Sequence, residues 1–171
     1  KGINQRELED GLRNYLSVSH LSLFSSGTTA LMVAIRALGI SGDVITTPFT
    51  FPATPHALFW NNLSVVFADI DPVTMNLSPE AIEAAIGPDT AAILAVHVFG
   101  TPCDWQAIRD IAARHGLRII YDAAHAFGMT DQNVPVGTLG DVSMFSFHAT
   151  KTFHTAEGGA LSTEDPELKA R

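Results

Sequence analysis

LFSSGTTAL, residues 23–31, is an apolar strand end, a turn of small residues and the start of a helix. The spacing predicts a strand over Leu21–Ser25 and a helix over Thr29–Leu38. In that helix Ala30, Val33, Ala34 and Ala37 recur at helical intervals and bury one face. The same alternation runs through the rest of the chain. Further strands are expected at Val44–Thr47, Val65–Asp69, Ala92–Val98, Leu117–Tyr121, Val142–Phe147 and Gly159–Thr163, and further helices at Gln5–Leu16, Ala53–Asn61, Pro79–Ile86 and Trp105–His115. In NLSPEAIEAAI (76–86), Ser78 is placed to cap, Pro79 suits the first turn and Glu80 favours the positive end of the helix dipole. Strands that are apolar throughout must be buried on both faces. The expected fold is therefore α/β, a three-layer sandwich around a mostly parallel sheet of about seven strands. In such sheets ligands bind outside the carboxyl ends of the strands.

The chain has 171 residues, 46% hydrophobic and 16% charged, enough for one domain with a sizeable core. A net charge of −8 and a pI near 5.2 argue against a nucleic-acid partner, which calls for a basic stripe. No apolar stretch is long enough to cross a bilayer, and the first residues do not resemble a signal peptide. The single cysteine, Cys103, excludes an internal disulfide and fits a reducing cytoplasm. As a small apolar filler it needs no other role.

Four places at expected strand ends hold chemistry. In SSGTT, Gly27 permits a sharp turn and Thr28 offers a hydroxyl and an amide at a helix start, a geometry suited to phosphate. The stretch lacks the terminal Gly-Lys of a P-loop and the spaced glycines of a dinucleotide fingerprint, and by itself it also reads as an ordinary start capped by a threonine. In RIIYDAAHAFG (118–128), Asp122 follows a buried strand and His125 lies three residues on. The acid suits a cation, either a metal or a protonated ring nitrogen, or else a turn. In TPFTFPAT (47–54), Phe51 can lie over a flat ligand or fill a rim. Lastly, SFHATKTFHTAEGGA (146–160) holds Lys151, the only one of three lysines away from the chain ends. Ser146 ends a strand beside it, and Gly158–Gly159 permits close approach of a backbone or ligand. Pyridoxal 5'-phosphate explains all four: an amine for its aldehyde, a helix start for its phosphate, an acid for its ring nitrogen and a flat side chain for its ring. The amine must be unprotonated for part of the cycle.

SSGTTAL, TPFTFPAT, VVFADIDPVTMNLSPEAIEAAI, AVHVFGTPCD, IIYDAAHAFG and FSFHATKTFHTAEGGAL, in that order, resemble the DegT/DnrJ/EryC1/StrS family of pyridoxal-phosphate aminotransferases of fold type I. The resemblance covers almost the whole chain. It implies the large domain of an aspartate-aminotransferase-like enzyme that aminates nucleotide-linked keto sugars with an amino-acid donor, glutamate in the family. Lys151 matches the Schiff-base lysine that also moves the proton, and Asp122 the acid on the pyridine nitrogen. His125 matches the residue beside the phenolic oxygen, often Gln or His. Gly27, Thr28 and Ser146 match the phosphate site. Phe51 matches the stacking aromatic, often Trp or Tyr. The resemblance assigns nothing to His148, His154 or Glu157.

Members of the family are roughly twice as long as this chain, past the size at which one core splits. Residues 1–171 are thus expected to be the large domain, without a C-terminal small domain. The family's active site lies between the subunits of a homodimer, so a partner would complete it. FHATKTFHTAEGGA is most similar to members acting at the 4-keto group of dTDP-linked 6-deoxyhexoses, with 3-amination the alternative. Rival readings are a sugar dehydratase, in which histidine replaces the lysine, and a regulatory member without turnover. A metal hydrolase on Asp122, His125, His148 and His154 is the third, and its spacings match no common zinc signature.

Overall fold

A computed structural model describes residues 2–171; Lys1, the first residue of the expected domain, lies outside the described residues. All seven expected strands form one sheet. They are β1 (His20–Phe24), β2 (Asp43–Thr46), β3 (Ser64–Phe67), β4 (Thr90–Val96), β5 (Arg118–Asp122), β8 (Val142–Ser146) and β9 (Gly159–Thr163). A short hairpin of β6 (Thr130–Asp131) and β7 (Val134–Pro135), not expected from the sequence, lies between β5 and β8. The sheet order is β1-β9-β8-β5-β4-β2-β3. Every pairing from β3 across to β8 is parallel, whereas β9 runs antiparallel to both β8 and β1. Two antiparallel pairings in succession restore direction, so β1 points the same way as β8. Six strands therefore end at one edge.

The helices are α1 (Ile3–Leu16), α2 (Gly27–Ala37), α3 (Ala53–Trp60), α4 (Pro79–Ala85), α5 (Trp105–His115) and the short α6 (Pro166–Ala170). Alternate strand residues face opposite ways, and this sorts the core into two clusters. Ile45, Ile93, Ile119, Tyr121 and Phe145 join Leu12 and Leu16 of α1, Ile82 of α4 and Ile108 and Ile111 of α5. On the other face Val44, Leu94, Ile120, Val142 and Met144 join Ala30, Leu31, Ala34 and Ile35 of α2 and Leu58 of α3. Each fully buried Leu or Ile contributes about 1.5–3 kcal/mol, and both faces need helices to collect it. Hence three layers.

Ser78 caps α4 by accepting from the Ala81 amide, as its sequence position suggests. At α2 the structure corrects the expectation. The helix starts two residues earlier than Thr29, and its cap is Ser26, which accepts from the Thr29 amide, not Thr28. Thr28 is exposed instead. Among the described residues no helix is long and apolar enough to cross a membrane.

Candidate active site at the carboxyl ends of the strands

The end of β1 leads directly into α2, whose start lies against the end of β8. A side-chain carbon on Gly27 would come within 3.1 Å of the Ser146 Cβ, and one on Gly159 within 2.5 Å of the Gly27 nitrogen. Only glycine at both positions lets β9, β8 and the helix start pack this closely. Ser26 satisfies the Thr29 amide, while the first amides of a helix, here those of Gly27 and Thr28, have no acceptor within it. Two N–H groups, the positive end of the α2 dipole and the Ser146 hydroxyl thus meet at one spot, a cradle fit for a phosphate.

Asp122 ends β5 and is 5% exposed. Its carboxylate accepts from the Thr54 hydroxyl at 2.8 Å and from the Ala124 amide at 3.1 Å. Burial is the largest influence on it and pushes its pKa above the usual carboxylate value, against the hydrogen bonds of Thr54 and Ala124 and the charges of His125 and Lys151. Thr54 has one proton, and it goes to Asp122. In the 2.7 Å contact between the Thr50 and Thr54 hydroxyls, Thr50 is therefore the donor, and a chain Thr50–Thr54–Asp122 fixes the carboxylate. Among the described residues no direct cationic partner neutralises this buried acid. Such a group gains most from a ligand that brings a positive charge of its own.

Lys151 lies on the β8–β9 connection, residues 147–158, and is half-buried. The loop is closed at its base by Phe147 N–H to Gly158 O (2.8 Å) and Thr155 N–H to Phe147 O (3.0 Å), and the Lys151 amide donates to His148 O at 2.9 Å. Phe153 anchors the loop: it stacks on Phe127 at 4.7 Å and meets Phe147 edge-on at 5.1 Å. The Lys151 charge acts on both Asp122 and His125. Burial, then Lys151, lowers the His125 pKa, with Asp122 opposing, so the imidazole is held towards its neutral form.

The structure thus brings together the helix start at Gly27 and Thr28, Ser146, Asp122, His125 and Lys151. Phe51 is 74% exposed, and its carbonyl accepts from the amide of Thr54, the residue that bonds to Asp122. The aromatic that does lie on a site residue is Phe99, parallel to His125. Among the described residues no three histidine, cysteine or acidic side chains converge as metal ligands, so Asp122, His125, His148 and His154 are not one set. His148 instead bonds to Thr150 at 2.9 Å and lies 3.6 Å from Glu157. Thr54, Phe99 and Phe153 were not legible as site residues. TFPAT contains Thr54, but nothing local says that its hydroxyl, at the start of α3, meets a carboxylate at the end of β5.

The family model for DegT/DnrJ/EryC1/StrS aminotransferases matches residues 1–171. The chain belongs to that family. The family's cofactor is pyridoxal phosphate, and the cradle, the buried acid and the amine described above fit its phosphate, ring nitrogen and aldehyde. Among family relatives, the dTDP-4-amino-4,6-dideoxy-D-glucose transaminase of Shigella dysenteriae is 52% identical over 170 residues, covering 99% of this chain and 46% of its own length. DesI, crystallised in the presence of its TDP-sugar product, superposes with a TM-score of 0.96 at 45% identity, covering 99% of this chain and 43% of the DesI chain. NtdA from Bacillus subtilis, with bound cofactor PMP, superposes with a TM-score of 0.93 at 35% identity, covering 99% of this chain and 39% of NtdA. The chain spans about half the length of the curated relatives it matches.

Proposed function

We propose that residues 1–171 are the cofactor-binding large domain of a pyridoxal-phosphate sugar aminotransferase. It transfers nitrogen from an amino-acid donor, glutamate, to a nucleotide-linked keto sugar. The observation that carries this reading is Asp122, a buried carboxylate that accepts from Thr54, feels the charge of Lys151 and has no direct cationic partner among the described residues. When bound, pyridoxal phosphate supplies an aldehyde that condenses with amines and a protonated ring that draws electrons from the bond being broken.

The residues divide the work. Gly27, Thr28 and Ser146 hold the phosphate. Asp122 would keep the proton on the ring nitrogen, His125 would lie at the phenolic oxygen and Phe51, which is exposed, would cover the ring face. With the cofactor bound, the Lys151 Nζ would hold its aldehyde carbon; Lys151 would also take the donor's α-proton as a base and deliver a proton to the sugar carbon as an acid. In the net reaction nitrogen replaces the sugar's carbonyl oxygen, and the donor leaves as its 2-oxo acid.

The name of the Shigella transaminase and the TDP-sugar product of DesI favour the 4-keto group of a dTDP-linked 6-deoxyhexose as the position aminated. The relatives' greater length supports a C-terminal small domain in the complete enzyme. Family membership supports a homodimer that shares its active sites, and the single cysteine supports a cytoplasmic location. The test is to incubate the native protein with cofactor, glutamate and dTDP-4-keto-6-deoxyglucose and follow both products by mass spectrometry. Amino sugar and 2-oxoglutarate in equal amounts are expected. Glutamate consumed without amino sugar would overturn the proposed acceptor, and no transfer to any keto sugar would overturn the activity.

A further inference from the structure

The segment between β4 and α5 takes no part in the reaction as drawn above, yet it contains a strained residue at this edge of the sheet. Phe99 has φ 53° and ψ 21°, left-handed backbone that a bulky aromatic seldom adopts. Its ring is 76% exposed, so burial does not repay the strain. Two buried side chains hold the segment in place. Asn76, 2% exposed, accepts from the Val98 amide at 2.9 Å and donates to the carbonyls of Thr101 at 3.0 Å and Pro102 at 3.1 Å. His97 is fully buried, and its Nδ1 accepts from the Cys103 amide at 3.0 Å.

What the strain achieves is contact with His125. The Phe99 ring lies parallel to the His125 imidazole, with an interplanar angle of 6° and centroids 6.3 Å apart, an offset stack. Phe49 supports Phe99 from the side at 6.2 Å and 85°. The next residue, Gly100 (φ 84°), passes close to the same residue, since a side-chain carbon there would lie 2.9 Å from the His125 carbonyl oxygen. One short segment therefore stacks on the His125 ring at Phe99 and, at Gly100, leaves no room for a side chain beside the His125 carbonyl.

We propose that Phe99 is a positioning residue whose ring fixes the His125 imidazole at the cofactor's phenolic oxygen, and that Asn76 and His97 hold Phe99 in the left-handed conformation this requires. The inference rests on the reading that His125 meets that oxygen. The charged groups that act on His125 are Asp122 at the end of β5 and Lys151 on the β8–β9 loop. Phe99 adds no charge, so it acts by orienting the ring and by keeping water from one face.

The test is a double-mutant cycle in the native protein with Phe99→Ala, His125→Ala and both together, and Phe99→Tyr as the conservative variant. Two readouts are the affinity of the apoprotein for pyridoxal phosphate and the pH midpoint of the bound cofactor's absorbance band. A third needs no cofactor: the NMR signals of the His125 ring protons in the apoprotein. Loss of one aromatic pair is expected to weaken cofactor binding about 2- to 12-fold in Phe99→Ala. The pH midpoint moves with it, Phe99→Tyr restores both, and neither changes further in the His125→Ala background. In the apoprotein, Phe99→Ala shifts the His125 ring signals by removing the neighbouring ring current. Equal effects of Phe99→Ala with and without His125, or unmoved ring signals, would overturn the proposal. If His125→Ala is impaired while Phe99→Ala binds and titrates like wild type, this inference alone falls. If His125→Ala itself behaves like wild type, the role of His125 falls with it.

Discussion

Thr54→Val removes one hydroxyl and keeps the shape of the side chain. Thr54 is fully buried and donates at 2.8 Å to a carboxylate that is 5% exposed. A hydrogen bond to a charged group contributes ~1.5–3 kcal/mol, and no cavity opens to add to that loss. For a chain of this size the loss lowers Tm by about 3–12 °C. The pH dependence follows from Asp122, whose folded pKa lies above the ordinary carboxylate value of 3.8 because of burial. Between those two values the folded state binds more protons than the unfolded one, so stability falls as pH rises through that window. Above the window the acid is ionised and the Thr54 bond is worth most. The cost of Thr54→Val is therefore largest above the window and shrinks as pH falls through it. In an Asp122→Asn background the bond is neutral, and the same substitution costs only ~0.5–1.5 kcal/mol. Urea denaturation of the cofactor-free native protein, in both backgrounds and across the pH range, measures all of this. Equal costs in the two backgrounds with no pH dependence would refute the claim that Thr54 stabilises an ionised Asp122.

His97 gives a second acid-sensitive site of opposite sign. Burial lowers its pKa from 6.5 to about 4, so it stays neutral in the fold while the unfolded chain takes up a proton. Stability from this group is complete above pH 6.5 and is lost as pH falls from there towards 4, by about 3 kcal/mol in all. His97→Gln is expected to flatten that part of the stability–pH curve, and an unchanged slope in urea titrations would contradict it. Gly159→Ala places a methyl 2.5 Å from the Gly27 nitrogen, which pushes the α2 start away from β9. A loss of ~1–3 kcal/mol, the range for overpacking, and weaker binding of pyridoxal phosphate are expected together. Calorimetry and fluorescence titration would show both. Wild-type affinity in Gly159→Ala would mean that this contact does not shape the phosphate cradle.

The sheet was legible because its strands are nearly continuous apolar runs: AAILAV can be buried only if both faces are covered. Direction was not legible. GALST has the same composition whether it runs with or against its neighbours, and only the short return from Ser146 to Gly159 makes β9 antiparallel. The β6–β7 hairpin escaped because two-residue strands carry no period, although its turn residues Gln132 and Asn133, at φ 49° and 66°, are of the kind that accept left-handed backbone. In the site, Lys151, Asp122 and Ser146 stood out as chemically distinctive residues at strand ends. Thr54 and Phe99 did not, because their partners lie 68 and 26 residues away and no local pattern links them. Phe51 was read from its place in a motif, and an open ring is all that the fold gives it without a ligand to cover.

We propose Lys151 as the amine that holds the cofactor. The direct measurement is to incubate the native protein with pyridoxal phosphate, reduce with borohydride and map the peptides by mass spectrometry. A phosphopyridoxyl group on Lys151, absent from Lys151→Ala, is the expected result. A folded protein that leaves Lys151 unmodified, or carries the group only on another amine, would contradict this role for Lys151.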